Sequence, residues 1–367
     1  MNKTDRRNFL RSGAAAMLAA ATPTGGHAQQ ATPESLQHAG VSRPLTDAEK
    51  TARIASNSYP IRFNFKTRNV ENAEKSAEMK KKYGEITMLD FPDFTKEHFP
   101  GVIRMDVWSS LFGDTTDNSM YAQRQLEVLG KRRSYSEFDP STASSKRWLE
   151  AFASKCVRTG TKVHHISNNA PRDICDFDDA KRKAGIQVAK DWLDGAATLG
   201  SKSMRVNSGG PRISPWPVAD PSSYPKNGEL AKYLTNCIES FKEMADYGGK
   251  LGVKVTLENH WGLTANPINI KIIVEEVNHP FCEASPDFCN WEHEYLLFHA
   301  LNDLAPYAHT TVHAKYWDRW KDPDVQRNVR IMLNNGYEGI FALEYEDGPW
   351  DGVEGAKYLY REVMAAL

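Results

Sequence analysis

The stretch Val253-Lys254-Val255-Thr256-Leu257-Glu258-Asn259-His260 constrains the fold more than any other part of the chain. It is a β-branched run that ends abruptly in a carboxylate, an amide and an imidazole. A strand buried on both faces reads as a near-continuous apolar run, and a parallel barrel delivers its functional groups from the C-terminal ends of such strands. Three later segments have the same form: Phe281 to Pro286 runs into Asp287, His309 to Val312 into His313, and Gly339 to Leu343 into Glu344. The terminal residues lie 29, 26 and 31 positions apart. A (β/α)8 barrel uses roughly 30 residues per strand-helix unit, so this spacing predicts all four on one rim.

The N-terminus has a different character. Asp5-Arg6-Arg7-Asn8-Phe9-Leu10-Arg11 is followed by a short Ala-rich stretch from Gly13 to Ala21, then by the small-residue pattern Gly26-His27-Ala28. Charge, apolar run and cleavage pattern occur in the order of an export signal, and the apolar run is far below the ~20 residues that span a bilayer. Residues 1–28 resemble a twin-arginine (Tat) signal. The expectation is a protein recognised by the Tat machinery, exported folded, and periplasmic or extracellular. Residues 29–51, with Pro33 and Pro44, read as an exposed lead-in, and residues 52–367 as one barrel.

Removing the four basic and one acidic residues of the first 28 from totals of 46 and 47 leaves 42 and 46, a net charge of −4. That argues against a nucleic-acid or anionic-membrane partner. The five cysteines are odd in number and scattered, which fits neither a disulfide framework nor a structural zinc site. With 40% hydrophobic and 25% charged residues, the composition is that of a globular protein, and association into a homo-oligomer is compatible with it.

Short apolar runs alternate with helical patterns from Arg53 onward, as in a parallel α/β fold. The first four strands are read at Arg53–Tyr59, Val102–Trp108, Lys162–Ile166 and Ser203–Val206. Residues 113–143 are long, polar and charged, and read as a solvated excursion. The amphipathic segment Asp178–Leu199 places Trp192 in the core. Five prolines between 209 and 227 stiffen a loop at the predicted rim, next to Asn207. The last four helices are read at Ile268–Asn278, Glu292–Leu304, Asp322–Asn335 and Val353–Leu367, giving a single (β/α)8 TIM barrel.

Glu258, Asp287, His313 and Glu344 make a mostly hard oxygen site. It suits Mn²⁺ or Mg²⁺ best, accommodates Co²⁺ or Zn²⁺, and leaves coordination positions for a substrate. Glu258 and Glu344, on strands with two others between them, would flank a substrate and move protons α to a carbonyl. Lys315 is two positions beyond His313 and would polarise a substrate oxygen, while alternation puts His260 on the face of Glu258 as a further base. Trp261 and Trp317 are candidates to stack on a sugar ring.

These segments resemble the xylose isomerase-like TIM-barrel superfamily, in its sugar phosphate isomerase/epimerase branch. The resemblance rests on Leu257-Glu258-Asn259-His260-Trp261-Gly262, Pro286-Asp287-Phe288, Val312-His313-Ala314-Lys315 and Gly339-Ile340-Phe341-Ala342-Leu343-Glu344-Tyr345, with Ala196 to Val206 similar to the approach to the fourth strand. It implies a metal-dependent enzyme acting on a carbohydrate, with Glu258, Asp287, His313 and Glu344 as ligands and Glu258 and Glu344 as the acid/base pair. Ketohexose epimerases of that branch carry a histidine three residues after the Asp ligand, where this chain has Asn290. Three readings therefore stand at this stage: a sugar isomerase or epimerase, a lyase on 3-keto-glycosides with the same site, and a non-catalytic sugar-binding protein. An endonuclease of the same superfamily would need more zinc-binding histidines and a basic groove.

Overall fold

The computed structural model describes residues 44–128, 131–210, 227–291, 294–320 and 323–367. The twin-arginine segment, most of the lead-in and the proline-rich loop over 211–226 lie outside the described residues. So do residues 292–293 and 321–322, where two of the expected helices begin.

Asp47–Thr51 form a helical turn, α1, at the end of the segment expected to be a lead-in. Thr46 and Glu49 close a reciprocal capping box on it, satisfying orphan amide donors. Strand β1 (Ile54–Asn57) follows, then helices α2 (Ala73–Tyr83) and α3 (Phe91–His98), and strand β2 (Arg104–Trp108). The apolar moment of α2 is hidden by its run of lysines, and Asn72 starts it by accepting from Lys75 N.

Within the segment expected to be a solvated excursion, residues 121–128 and 131–138 are ordered as strands. They form an antiparallel hairpin, β3 (Tyr121–Val128) and β4 (Lys131–Phe138), in register from Tyr121↔Phe138 to Val128↔Lys131. Its base is anchored by aromatic packing: Phe138 lies 5.5 Å from Trp148 and 5.7 Å from Trp192, ring to ring, and Phe112 lies 5.8 Å from Phe138. Such edge and tilted pairs each add about 0.5–1.5 kcal/mol beyond the area they bury. Trp192 is core, as expected, with 1% of its surface exposed.

The remaining units alternate regularly: α4 (Ala143–Thr159), β5 (Lys162–Ser167), α5 (Asp179–Thr198), β6 (Ser203–Arg205), α6 (Asn227–Leu251), β7 (Lys254–Leu257), α7 (Pro267–Val277) and β8 (Cys282–Ala284). They end with α8 (Glu294–Leu304), β9 (Thr311–Trp317), α9 (Val325–Asn334), β10 (Ile340–Asp347) and α10 (Gly352–Ala366). Side-chain caps at Thr142, Asp178, Asn266, Asp324 and Asp351 fix the helix starts.

Eight strands pair in parallel in the order β8-β7-β6-β5-β2-β1-β10-β9. The two outermost strands then meet: Asp287 and His313 form a parallel bridge, with His313 N donating to Pro286 O at 3.1 Å. Residues 45–367 form one compact body. The expected (β/α)8 barrel is therefore the fold, with helices covering strands that are buried along nearly their whole length. No described helix is long and apolar enough to cross a membrane, and all five cysteines are buried and unpaired.

Candidate active site

Barrel closure brings the ends of β7, β8, β9 and β10 together. Glu258, Asp287 and His313 each present a ligand atom within 4.8 Å of the other two. Glu258 Oε2 lies 3.3 Å from His313 Nδ1. Asp287 is wholly buried, and its Oδ1 accepts from Cys289 N at 2.6 Å and Asn290 N at 2.9 Å. Asp287 Oδ2 and His313 Nδ1 have no hydrogen-bond partner. Two orphaned buried acceptors facing a carboxylate are what a cation site looks like before its ion is counted.

Glu344, the fourth expected ligand, is held differently. Its Oε1 accepts from Lys315 Nζ at 2.8 Å, its Oε2 accepts from Asn57 Nδ2 at 3.4 Å, and Oε2 lies 3.8 Å from His313 Nε2. Glu258 and Glu344 thus sit on opposite edges of the His313 ring. Lys315 is not a solvated lysine. It is buried, and also reaches Asn290 Oδ1 at 3.0 Å, Glu346 Oε2 at 3.0 Å and Asp287 Oδ2 at 3.6 Å.

Asn290 lies between the two ends of the cluster, donating to Glu258 Oε1 at 2.9 Å while accepting from Lys315. Asn207 donates to the carbonyls of Asn168 and Asn169, so its amide braces the loop after β5. Trp317 has Lys315 Nζ 5.6 Å from its ring centre and Arg319 at 4.6 Å, and Trp261 has the Arg172 guanidinium at 5.9 Å. His260 lies just beyond the end of β7, and Glu258 is the charge that acts on it most. Burial holds its imidazole down to about 3, so it is neutral at ordinary pH and a weak base.

Several members of the site are invisible to the spacing argument. Arg205, on β6, forms a buried ion pair with Glu258 at 2.6 Å. Asp106, on β2, meets His313 Nε2 at 3.0 Å and also accepts from Asn57 Nδ2 and the Ser167 hydroxyl. A carboxylate on the far nitrogen of a ligating histidine fixes its tautomer and orientation. His165 is wholly buried beside them, with Nδ1 on the Ser203 hydroxyl at 2.8 Å, and it forms a second close group with Asp106 and His313. An acid at position 106 inside an otherwise apolar strand was the available signal for Asp106. Nothing distinguishes Arg205 from a surface arginine in sequence.

The electrostatics follow from this packing. Asp106, Glu258, Asp287 and Glu344 are four buried carboxylates, faced by two permanent cations, Arg205 and Lys315. Burial opposes protonation of His313, but Glu258, Glu344 and Asp106 outweigh it and raise the imidazole to about 10. Burial raises Asp287 to about 7 against the pull of Lys315. Burial also opposes the charge on Glu258, and Arg205 and His313 overcome it, so that its carboxyl falls well below the usual range. With His313 neutral and Asp287 ionised, the four carboxylates exceed the two cations by two negative charges, which a divalent cation matches.

Beside the cluster, on the same rim, a cleft of about 190 Å³ opens under the hairpin, lined among others by Arg62, Trp108, Tyr135, Phe138, Asn169 and Arg172. Asn69 ties the rim loop after β1 to the hairpin, accepting from Ser136 N at 3.0 Å and donating to Ser136 O at 2.6 Å. Two chains of polar contacts join cleft to cluster. Asn169 Oδ1 accepts from Arg205, the partner of Glu258. Arg62 lies 3.9 Å from Glu346, which pairs with Lys315.

A parallel eight-stranded barrel with an acidic, histidine-containing cluster at the C-terminal ends of its strands defines a class of barrel with the groups to hold a metal ion. Within that class, the xylose isomerase-like TIM barrel family matches residues 125–367, and the chain belongs to that family. No curated protein sequence matches it. Among solved structures, the chain is similar to the apo form of the 3-keto-D-glucoside 4-epimerase YcjR from E. coli, at 14% identity and a TM-score of 0.56, covering 82% of this chain and 99% of that one. It is also similar to D-allulose 3-epimerase from Methylomonas sp., at 12% identity and a TM-score of 0.55, over 86% and 98% of the two chains. A xylose isomerase-like barrel protein from Mycobacterium smegmatis in complex with magnesium matches at 14% identity and a TM-score of 0.52, over 86% and 97%. At these identities the likeness is one of fold.

Proposed function

We propose that this protein is a divalent-metal-dependent enzyme that removes a proton α to the carbonyl of a sugar or keto-sugar, in the manner of an isomerase or epimerase. The observation that carries the reading is the convergence of Glu258, Asp287 and His313 within 4.8 Å, with the Lys315–Glu344 pair alongside. The residues fit a hard cation such as Mn²⁺ or Mg²⁺: two carboxylates and an imidazole, with orphaned acceptors on Asp287 and His313. Glu258, Asp287 and His313 would hold the ion, with Glu344 at its edge. When bound, it supplies Lewis-acid polarisation of the substrate carbonyl.

The protein groups divide the remaining work. Arg205 keeps Glu258 ionised and weakly basic, which suits a ligand. Glu344 is the acceptor for the carbon-bound proton. Lys315, charged and already bonded to Glu344, donates towards the oxygen where negative charge develops. Glu258 lies on the other edge of His313 and is held ionised. A proton drawn from solvent on that side, with Glu344 releasing its own to solvent, gives the epimer, while return of the proton from Glu344 to the neighbouring carbon gives the isomer. Asn290 keeps the two carboxylates apart by bonding to Glu258 and to Lys315. The mature protein begins after Ala28 and works outside the cytoplasm, following Tat-dependent export.

The cleft favours a second reading, elimination from a 3-keto-glycoside. A free ketohexose would occupy the metal-side cluster and leave the space under the hairpin unused, whereas an aglycone attached to the same ring would fill it. In that case the electron pair released by proton removal expels the aglycone instead of recapturing a proton. Incubation of metal-loaded protein in D₂O with ketohexoses and 3-keto-glycosides separates the readings. Solvent deuterium gained without cleavage marks isomerisation or epimerisation, and released aglycone marks elimination. Glu344→Gln should keep the ion while losing ~10²–10⁴-fold of the exchange rate. Full metal content with wild-type exchange in that variant would sink the assignment of Glu344.

A further inference from the structure

The N-terminal mouth of the barrel, at the opposite end of the strands from Glu258 and Glu344, carries a set of cations that the proposed reaction does not use. Four neighbouring strands begin on or beside a basic residue: β2 at Arg104, β5 at Lys162, β6 after Lys202 and β7 at Lys254. Parallel register sets them side by side. Arg104 is the direct partner of Lys162, Lys202 N donates to His164 O at 3.0 Å, and Lys254 N donates to Lys202 O at 3.0 Å.

Lys254 is neutralised by Glu283 at 2.5 Å. The side chains of Arg104, Lys162 and Lys202 have neither a carboxylate nor a hydrogen-bond partner among the described residues. Arg104, His164, Lys202, Lys254, His309 and Glu338 are among the residues around a cavity of about 380 Å³. His164 Nε2 is buried there with no hydrogen-bond partner. Glu338 is the acid lining this cavity, so positive charge is concentrated at one mouth of a chain whose net charge is −1.

Like charges held inside one Debye length destabilise the fold that holds them unless a counter-charge is bound. Their proximity opposes the charged forms of one another. Burial lowers Lys162, and Arg104 and Lys202 lower it further. His164 falls to about 4 through burial first and Arg104 next. A guanidinium fork and an ammonium approaching one space from neighbouring strands match an anion with several oxygens. We propose that this mouth is a binding site for a phosphate group, free or as a monoester, held by Arg104 and Lys202.

Calorimetric titration of the metal-loaded protein in phosphate-free, low-salt buffer tests this, first with inorganic phosphate and then with glycerol 3-phosphate. Saturable binding of either is expected, with the tighter of the two showing whether free phosphate or a phosphomonoester is the better ligand. Lys202→Gln and Arg104→Gln should each weaken it ~10-fold or more, and salt at ~0.15 M should weaken it as well. Lys202 is exposed, so its replacement leaves folding intact. Without phosphate, Lys202→Gln should melt at or above the wild-type temperature, because repulsion is relieved. Absence of binding by both ligands, equal affinity in the variants, or stabilisation matched by chloride at the same ionic strength would each overturn the site. A lower phosphate-free melting temperature for Lys202→Gln would also count against it, by making the lysine structural.

Discussion

His313 is the residue on which the others depend. Its two ring nitrogens face different partners, Nδ1 towards Glu258 and Nε2 towards Asp106 and Glu344. A cation binding at Nδ1 must displace a proton from an imidazole raised to about 10, and must find Asp287, raised to about 7, ionised. Both shifts are upward, so protons compete with the metal more strongly as pH falls. Metal affinity measured by calorimetry should therefore rise from pH 5 to pH 8, more steeply below about 7, where two protons are displaced, than above it, where one is. A constant slope of one proton across that range would remove Asp287 from the ligand set. Asp106 contributes from behind the ring. Asp106→Asn keeps the size and removes the charge that orients Nε2–H, and should cost ~10–100-fold in metal affinity. Unchanged affinity in that variant would leave Asp106 a structural acid.

At the scale of elements, the β3–β4 hairpin separates this chain from a bare barrel. It is fastened at its base by Phe138 against Trp148 and Trp192, and at its rim by Asn69 on Ser136. Tyr135 and Phe138 give the cleft its apolar wall, and Asn169 and Arg172 its polar one. Replacing residues 122–137 by a short turn removes Tyr135 from the wall while leaving Phe138 in place. The expected outcome is a KM for an aryl 3-keto-glycoside raised ~10-fold or more, the value of one lost ring contact of about 1.4 kcal/mol. Exchange on a free ketohexose should stay within about twofold. Equal effects on both substrates would mean that the hairpin supports the barrel and not a subsite.

For the whole molecule, the arrangement is asymmetric along the barrel axis. One rim carries the acidic cluster with its buried counter-cations, and the other carries uncompensated basic side chains. Between them the strands are packed with apolar residues, so the two ends are electrostatically distinct while sharing the same eight strands. The export reading belongs at this scale, because Tat transport moves a chain that has already folded. Replacing Arg6 and Arg7 together with lysine should retain the precursor in the cytoplasm, as seen by immunoblot of fractionated cells. Undiminished periplasmic delivery of that variant would remove the signal assignment.

The sequence by itself determined the barrel and the rim. A repeat of about 30 residues converts linear spacing into angular position around a closed sheet, so Glu258, Asp287, His313 and Glu344 could be placed together without coordinates. It also marked Trp192 as core, because helical periodicity is a local property. Pairing between side chains was decided by tertiary structure alone. Asp106 and His313 are 207 positions apart, and Arg205 and Glu258 are 53 apart. Neither pair has a local signal, since each depends on which strands become neighbours and which way their residues point when the sheet closes. The same holds for Lys315, whose spacing announced its face but not that it would be buried against Glu344. The hairpin was illegible for a different reason: its strands are polar on both sides, and the aromatic residues that fix it come from β4, α4 and α5. Local pattern specifies an element where one face is buried along its length, and only the assembled fold specifies contacts made across the barrel.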